Sequence, residues 1–345
     1  MNSWLSKLKL DKLPAYWEKR QYKKKHSPAH PFWTIVQKEI SDHVRSWRFI
    51  IMLAIISLTC LGSLYTSIMT LRETASSDEV DKTFFFLKLF TLSDPETGLP
   101  SYITFVSFLG PLLGIALGFD AVNSERNKGT LSRIMSQPIH RDYLLNAKFI
   151  AALIVISILF SALMFLVMGF GLLMLGIPPT PEEFLRMLAF LVVTIFYVGF
   201  WLNLSIMFSV RFRQPATSAL AGISIWLFFS VFFPLVLNLI SSAVMPGGEA
   251  TTEDVLGYQQ FMQMIARLSP SQLFSEATTT LLMPSVRTLS TFLTVDQLIG
   301  AIPGPLPLSQ SLLLVWPQIT CLAAATLICF AISYVMFMRQ EIRSR

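Results

Sequence analysis

Residues 120–148, DAVNSERNKGTLSRIMSQPIHRDYLLNAK, gather charged and turn-forming side chains between two strongly apolar runs. Glu125, Arg126 and Lys128 carry charge of both signs within four positions, and Gly129, Thr130 and Leu131 follow directly. No activated nucleophile, paired acid or metal-ligand cluster stands among them, so the chemistry on offer is recognition and not bond-making. Leu131, Ile134 and Met135 would form an apolar edge, with Arg126, Lys128 and Arg133 in solvent. That spacing predicts a short amphipathic helix projecting from the apolar part of the molecule. Asn123 or Ser124 can cap it, and Glu125 in its first turn suits the positive helix end. Pro138 breaks it, Asp142 can cap the next helix, and Lys148 would anchor that helix at an interface. On the residues alone, a basic loop that happens to be helical explains the segment as well as a built docking surface does.

The elements that must hold this segment are apolar. Of 345 residues, 53% are hydrophobic and 14% charged, with a mean hydropathy of +0.58. A soluble domain of that size needs more charge to cover its surface. Six runs are long enough to cross a bilayer, at about 49–69, 101–119, 149–176, 187–210, 217–244 and 311–338. Each must satisfy its own backbone in hydrocarbon, so each is expected as a helix of roughly 20 residues or more. The fold class is therefore an all-α integral membrane protein with six spans.

With the N-terminus inside, the cytoplasmic segments are 1–48, 120–148, 211–216 and 339–345. They hold 21 of the 27 Lys and Arg, whereas the outer segments hold 13 of the 21 Asp and Glu. That is a positive-inside distribution, and it places both termini in the cytoplasm of a multi-pass cell-membrane protein. The net charge of +6 is thus a topology signal and gives no reason to expect nucleic acid.

The chain divides into a basic tail and interfacial helix (1–48), five spans with the 120–148 loop (49–244), an extracytoplasmic region (245–310), and a sixth span with a short tail (311–345). Within 1–30, Trp4, Leu5, Tyr22 and Lys23–Lys25 suit contact with an anionic leaflet or a plain basic tail. In 31–48, Phe32, Ile35, Val36, Ile40, Val44 and Trp47 recur at helical spacing, with Lys38, Glu39, Asp42 and Arg45 on the other side. That pattern reads as an amphipathic helix in the membrane interface, the other reading being an extension of the first span. The FFFLKLF run within 70–100 is expected at the outer interface. In the outer region, Tyr258–Leu268 and Gln272–Leu282 look helical, with breaks at Ser269-Pro270 and Pro284, and together they suggest an external cap. Pro303, Pro305 and Pro307 give a stiff lead into the last span.

Several function classes lack machinery. No Asp, Glu, Lys, Arg or His falls within the six runs, although ion-coupled carriers need such groups near the midplane. The four histidines, His26, His30, His43 and His140, lie on the cytoplasmic side or at its border. Cys60, Cys321 and Cys329 fall in spans and suggest neither a disulfide framework nor a metal site. No GxxxxGK[ST] phosphate loop is present, so energy from ATP would have to enter through another subunit. Gly110, Gly114 and Gly118 line one face of the second span at GxxxG spacing, for a moving or dimer-lining contact or for ordinary close packing. Asn203 and Asn238 are in-span polar groups that can line a path or bond a neighbouring helix.

The string Glu125-Arg126-x-Lys128-Gly129-Thr130-Leu131, then Ser136-Gln137-Pro138, Arg141 and Lys148, resembles the first cytoplasmic loop of ABC transporter permeases of the type 2 exporter family. The resemblance extends over nearly the whole chain, from the N-terminal helix through six spans to the outer region before span six. It implies that this loop forms a coupling helix seated in a cleft of a separate ATPase subunit. Glu125, Arg126, Lys128, Gly129, Thr130 and Leu131 would be its contact set. Arg211, Phe212, Arg213 and Gln214, between spans four and five, are similar to the family's second, shorter contact. The outer region of about 66 residues is longer than the common pattern and resembles the subgroup that includes the permease of nitrous oxide reductase maturation.

The function that follows is a non-catalytic permease subunit that couples a separate ATPase to export of a substrate. The resemblance implies two ATPase copies, a homodimer of permeases, and ATP bound by the partner, with no cofactor on this chain. Apolar spans point to an amphipathic or lipid-like cargo. A stand-alone permease without a fused ATPase points to a prokaryotic source. One alternative is mechanotransmission to an extracytoplasmic partner without transport, and another is an ATP-independent carrier or scaffold.

Overall fold

The computed structural model describes residues 31–75, 84–93, 99–131, 140–176, 178–244, 251–284 and 305–339. The tail 1–30, the loop positions 132–139 with Arg133 to Pro138, and Pro303 lie outside the described residues. All regular structure among the described residues is helical. The elements are α1 (Pro31–Val44), α2 (Trp47–Ala75), α3 (Phe85–Thr91), α4 (Tyr102–Gly118), α5 (Asn123–Asn127), α6 (Arg141–Leu175) and α7 (Pro181–Arg211). They continue with α8 (Pro215–Leu227), a π-helical turn at Phe228–Phe232, α9 (Phe233–Val244), α10 (Thr252–Ala266), α11 (Pro270–Leu282) and α12 (Leu308–Met338). Six of these stretches are long and apolar enough to cross a membrane: Trp47–Arg72, Tyr102–Asn127, Arg141–Met174, Pro181–Arg211, Pro215–Val244 and Leu308–Met338.

The centre of the bundle is α7. Its start is specified locally, because Thr180 and Glu183 form a reciprocal capping box and Pro181 occupies the first helical position. Tyr197, Val198, Trp201 and Leu202 on α7 are fully buried. The three glycines of α4 all face this helix. A Cβ on Gly114 would stand 2.8 Å from the Val198 carbonyl oxygen, and one on Gly118 would stand 2.7 Å from that of Leu202. Gly110 faces the Val198 side chain at 2.9 Å. The GxxxG face thus brings two backbones of the same chain together, which only a hydrogen in place of a side chain permits. Asn203 donates to the Thr326 carbonyl of α12 at 2.6 Å, whereas Asn238 stands on the exposed side of α9. Asn203 therefore ties two helices together.

Spans alternate in direction, so the molecule has a basic end and a far end. The basic end gathers α1, the start of α2, α5, the start of α6 and residues 211–214. At the far end the structure departs from the expected cap. Helix α11 is packed into the bundle, with Leu273, Phe274, Ala277, Leu281 and Leu282 buried. Phe274 stacks on Tyr197 at 4.4 Å and 16°, about halfway along α7. The reason is its apolar stripe, which needs a partner that α4, α7 and α12 together supply. The FFFLKLF run behaves similarly: α3 buries Phe86, Leu87, Leu89 and Phe90 against the bundle.

Ionisable groups also lie deeper than the sequence runs indicated. Helix α7 begins six residues before the apolar run at 187, so Glu182, Glu183 and Arg186 are part of a span-length helix, and Glu183 and Arg186 are buried. Glu276 of α11 is buried too, and accepts from Arg267 at 3.0 Å and from Gln318 of α12 at 3.1 Å. Paired and hydrogen-bonded in this way, such groups escape the desolvation cost that keeps lone charges out of apolar runs.

Candidate docking and coupling site

The segment after α4 is built around a tight reversal. Helix α5 spans only Asn123–Asn127, and Gly129 follows at φ +69°. Among the described residues no atom beyond its chain neighbours lies within 4 Å of a Cβ placed there, and the left-handed backbone itself selects glycine. The chain is helical again at Thr130–Leu131. The continuous helix expected across this stretch is thus broken at Gly129, where a residue with positive φ cannot extend an α-helix.

Capping also differs from expectation. Neither Asn123 nor Ser124 caps α5. The residue before the helix is Val122, and the backbone N–H groups of Val122 and Asn123 donate to the Ser209 hydroxyl of α7 at 2.9 and 3.2 Å. The Asn123 amide turns back to the Phe119 carbonyl at 3.1 Å. Asp142 does not cap α6, which starts after His140 without a side-chain cap. At α5 a borrowed acceptor stands in place of a local cap, because the Ser209 hydroxyl of α7 accepts two of the helix-start N–H groups.

Lys148 is the main surprise. It is 4% exposed and donates to Glu39 of α1 at 2.9 Å and to Glu125 of α5 at 2.9 Å. An interfacial anchor would point its ammonium to water; this one ties three elements together. Glu39, assigned to the solvated side of α1, is 6% exposed. Burial pushes its carboxyl up, but the Lys148 charge and hydrogen bond, with Lys38 adding to both, hold it below its ordinary value. Helix α1 lies along α6, where Val36 meets Ala147 and Ala151, and Phe32 sets its ring edge-on to Tyr143 at 5.7 Å. The stripe that reaches α6 includes Phe32, Val36 and Glu39. Helical spacing runs through Glu39, so the sequence did carry this signal, and charge type alone obscured it.

Beside the trio is a cavity of about 810 Å³ with Lys38, Asp42, Arg48, Asp120, Glu125 and Lys128 on its walls. Arg48 pairs with Asp120 and lies over the Phe119 ring at 4.8 Å, joining the start of α2 to the end of α4. Lys38 reaches Glu39 at 3.0 Å, Asp42 at 3.4 Å and Glu125 at 4.0 Å. Burial lowers the affinity of His43 for a proton, and Lys148 adds to that effect against the opposing pull of Glu39, Asp120 and Asp42.

The residues singled out in the sequence divide in two. Glu125 is mostly covered, and Leu131 is 3% exposed. Arg126 and Thr130 are half-buried, and Thr130 donates to the Glu125 carbonyl at 3.2 Å. Asn127, Lys128 and Gly129 are exposed, as are Arg211, Arg213 and Gln214, while Phe212 is half-buried. The two segments meet: the Asn127 side chain donates to the Arg213 carbonyl at 3.1 Å. They form one exposed basic patch around the Gly129 turn. Asn127, Ser209 and Arg186 are the positions that sequence reasoning passed over, and Glu39 is one that it placed on the polar face. Asn127 and Ser209 had no signal, because their roles depend on which loop lies opposite.

The family model for the ABC-2 family transporter protein matches residues 33–342. A "Probable ABC transporter permease protein NosY" from Pseudomonas aeruginosa is 25% identical over 214 residues, covering 60% of this chain and 70% of the relative. A protein of the same name from Stutzerimonas stutzeri is 24% identical over 211 residues, covering 59% of this chain and 68% of that relative. With six span-length helices, a bundle centred on α7 and a family match over most of its length, the chain belongs to the ABC-2 family of transporter membrane proteins and is a multi-pass plasma-membrane permease.

Proposed function

We infer that this chain is the non-catalytic membrane subunit through which a separate ATPase drives export, docking at the patch of Asn127, Lys128, Gly129, Arg211, Arg213 and Gln214. The observation that carries this reading is the Asn127–Arg213 hydrogen bond, which makes one continuous exposed surface from two loops that lie 86 residues apart. The basic end faces the cytoplasm in this reading, in keeping with the excess of Lys and Arg there. Movement of the Gly129 turn would pass through Glu125 and Lys148 to α1 and α6. Two permeases and two ATPases form the working assembly, the ATPases bind the ATP, and the apolar spans suit an amphipathic or lipid-like cargo.

The test is an affinity pull-down of the tagged chain from its native membrane, comparing wild type with Lys128→Glu/Arg213→Glu. The expected result is an ATPase subunit with wild type and its loss with the variant. Recovery with both would move the contact away from this patch. Recovery with neither, in a detergent that preserves membrane complexes, would favour the ATP-independent carrier or scaffold.

A second reading, mechanotransmission to an outer partner without transport, gains support from α10. Phe261 and Met264 on that helix and Leu268 just after it are 46%, 72% and 69% exposed and lie on one stripe. ATPase stimulation measured with and without residues 252–268 separates the readings: transport requires cargo movement, whereas mechanotransmission requires only the outer partner.

A further inference from the structure

One turn of α7 at the far end fastens nearly everything around it. Arg186 is fully buried, and its guanidinium donates to Glu182 at 2.9 and 3.2 Å, to the Leu281 carbonyl at the end of α11 at 3.0 Å and to the Ser311 hydroxyl of α12 at 3.1 Å. It also donates to the Leu306 carbonyl ahead of α12 and lies over the Phe84 ring at 5.3 Å. Three residues earlier in the chain, Glu183 accepts the Phe86 backbone N–H of α3 at 2.9 Å. Segments 84–91, 270–282 and 305–311 therefore all attach to a single turn. A planar group with five donors can bond several carbonyls at once; a lysine ammonium, with all its donors on one nitrogen, cannot span them.

The other end of the same helix holds the docking turn. Ser209 accepts the N–H groups of Val122 and Asn123, and Arg213, just past the helix end, accepts from Asn127. Between these ends, α7 is the most deeply buried span and is pressed backbone to backbone against α4 at Gly114 and Gly118. Its 31 residues extend about 45 Å at the usual helical rise. A close-packed helix has little room to absorb displacement at one end, so motion there passes along it.

We propose that α7 is the connecting element of the permease, carrying displacement of the 122–129 turn to the far-end segments, with Arg186 as the positioning residue that fastens those segments to it. This rests on the ATPase-docking reading of the basic patch and extends it to the opposite side of the membrane. Coupling of this kind means that both ends bias one common rearrangement.

The experiment uses the full chain co-expressed with its ATPase subunit, in a background lacking Cys60, Cys321 and Cys329. Spin labels at Ser275→Cys on α11 and Ile158→Cys on the exposed face of α6 report a distance without nucleotide and with ATP-vanadate. Co-purification and hydrolysis are measured on each sample. The expected result is a shift in the distance for wild type and loss of that shift in Arg186→Leu, with the ATPase still bound and turning over. Arg186→Lys, which keeps the charge and the α7 helix, is expected to reduce the shift, and it covers the case in which the leucine variant does not fold. A full shift in both variants overturns the role of Arg186. No shift in wild type, with a bound and active ATPase, overturns the connecting role of α7 but leaves the docking reading intact. Absence of the ATPase from the wild-type complex overturns the docking reading itself.

Discussion

At the scale of single residues, the ion-pair trio of Glu39, Lys148 and Glu125 sets the cost of change at the basic end. A buried charge whose partner is removed typically costs about 3–5 kcal/mol, whereas replacing the whole cluster by apolar groups of similar size is often neutral. Lys148→Met is therefore expected to lower the stability of the detergent-solubilised chain by about that amount. The triple variant Glu39→Leu/Glu125→Leu/Lys148→Met should recover most of the loss. Thermal unfolding of both variants measures this. Equal destabilisation in the two would mean that the trio contributes packing or register beyond its charges. Lys148 shows how charge type misleads at this scale. Its position ahead of an apolar run suggests a snorkelling anchor, and only the two carboxylates from α1 and α5 turn it inward.

Among the elements, the α4–α7 contact discriminates between glycines that look alike in sequence. Gly114→Ala and Gly118→Ala would drive a methyl to within 3 Å of backbone oxygen, so each is expected to destabilise by about 1–3 kcal/mol, as overpacking does. Gly62 on α2 and Gly169 on α6 meet nothing within 4 Å among the described residues, and alanine at either should be neutral or stabilising by up to about 1 kcal/mol. Unfolding temperatures of the four single variants, under one detergent condition, test the contrast. A similar response at all four would rule out backbone approach as the reason for the α4 stripe. The three-glycine pattern was legible beforehand. Its partner was not, since a smooth face fits a neighbouring span and a second copy of the chain equally well.

For the molecule as a whole, the two ends differ in kind. At the basic end, side-chain ion pairs join α1, α5 and α6 to one another and α2 to the end of α4, and the far end is organised from α7 by Arg186 and Glu183. Under the proposed orientation, a membrane-impermeant maleimide applied to intact cells should label Thr251→Cys and leave Lys128→Cys unlabelled until the cells are opened. Both positions are exposed, so accessibility across the membrane decides the result. The reverse pattern would invert the topology and remove the basic patch from any cytoplasmic ATPase.

The sequence by itself determined the class of the molecule: six apolar runs, a charge asymmetry, and a short polar loop with the Glu-Arg-x-Lys-Gly-Thr string. These are local properties, fixed by the need to satisfy backbone groups in hydrocarbon and by the cost of moving basic residues across it. The break at Gly129 does not belong here, since its neighbours read as one continuous helix and only the backbone at φ +69° shows the reversal. Tertiary structure alone decided where the charges went. Glu39 and Lys148 read as a polar-face residue and an interfacial anchor, and Arg186 drew no reading, because isolated charges avoid burial. Their burial depends on partners 95 to 125 positions away in sequence, which no local pattern specifies. The same holds for α11, whose apolar stripe was visible as helix but whose place inside the bundle follows from the groove that α4, α7 and α12 leave for it.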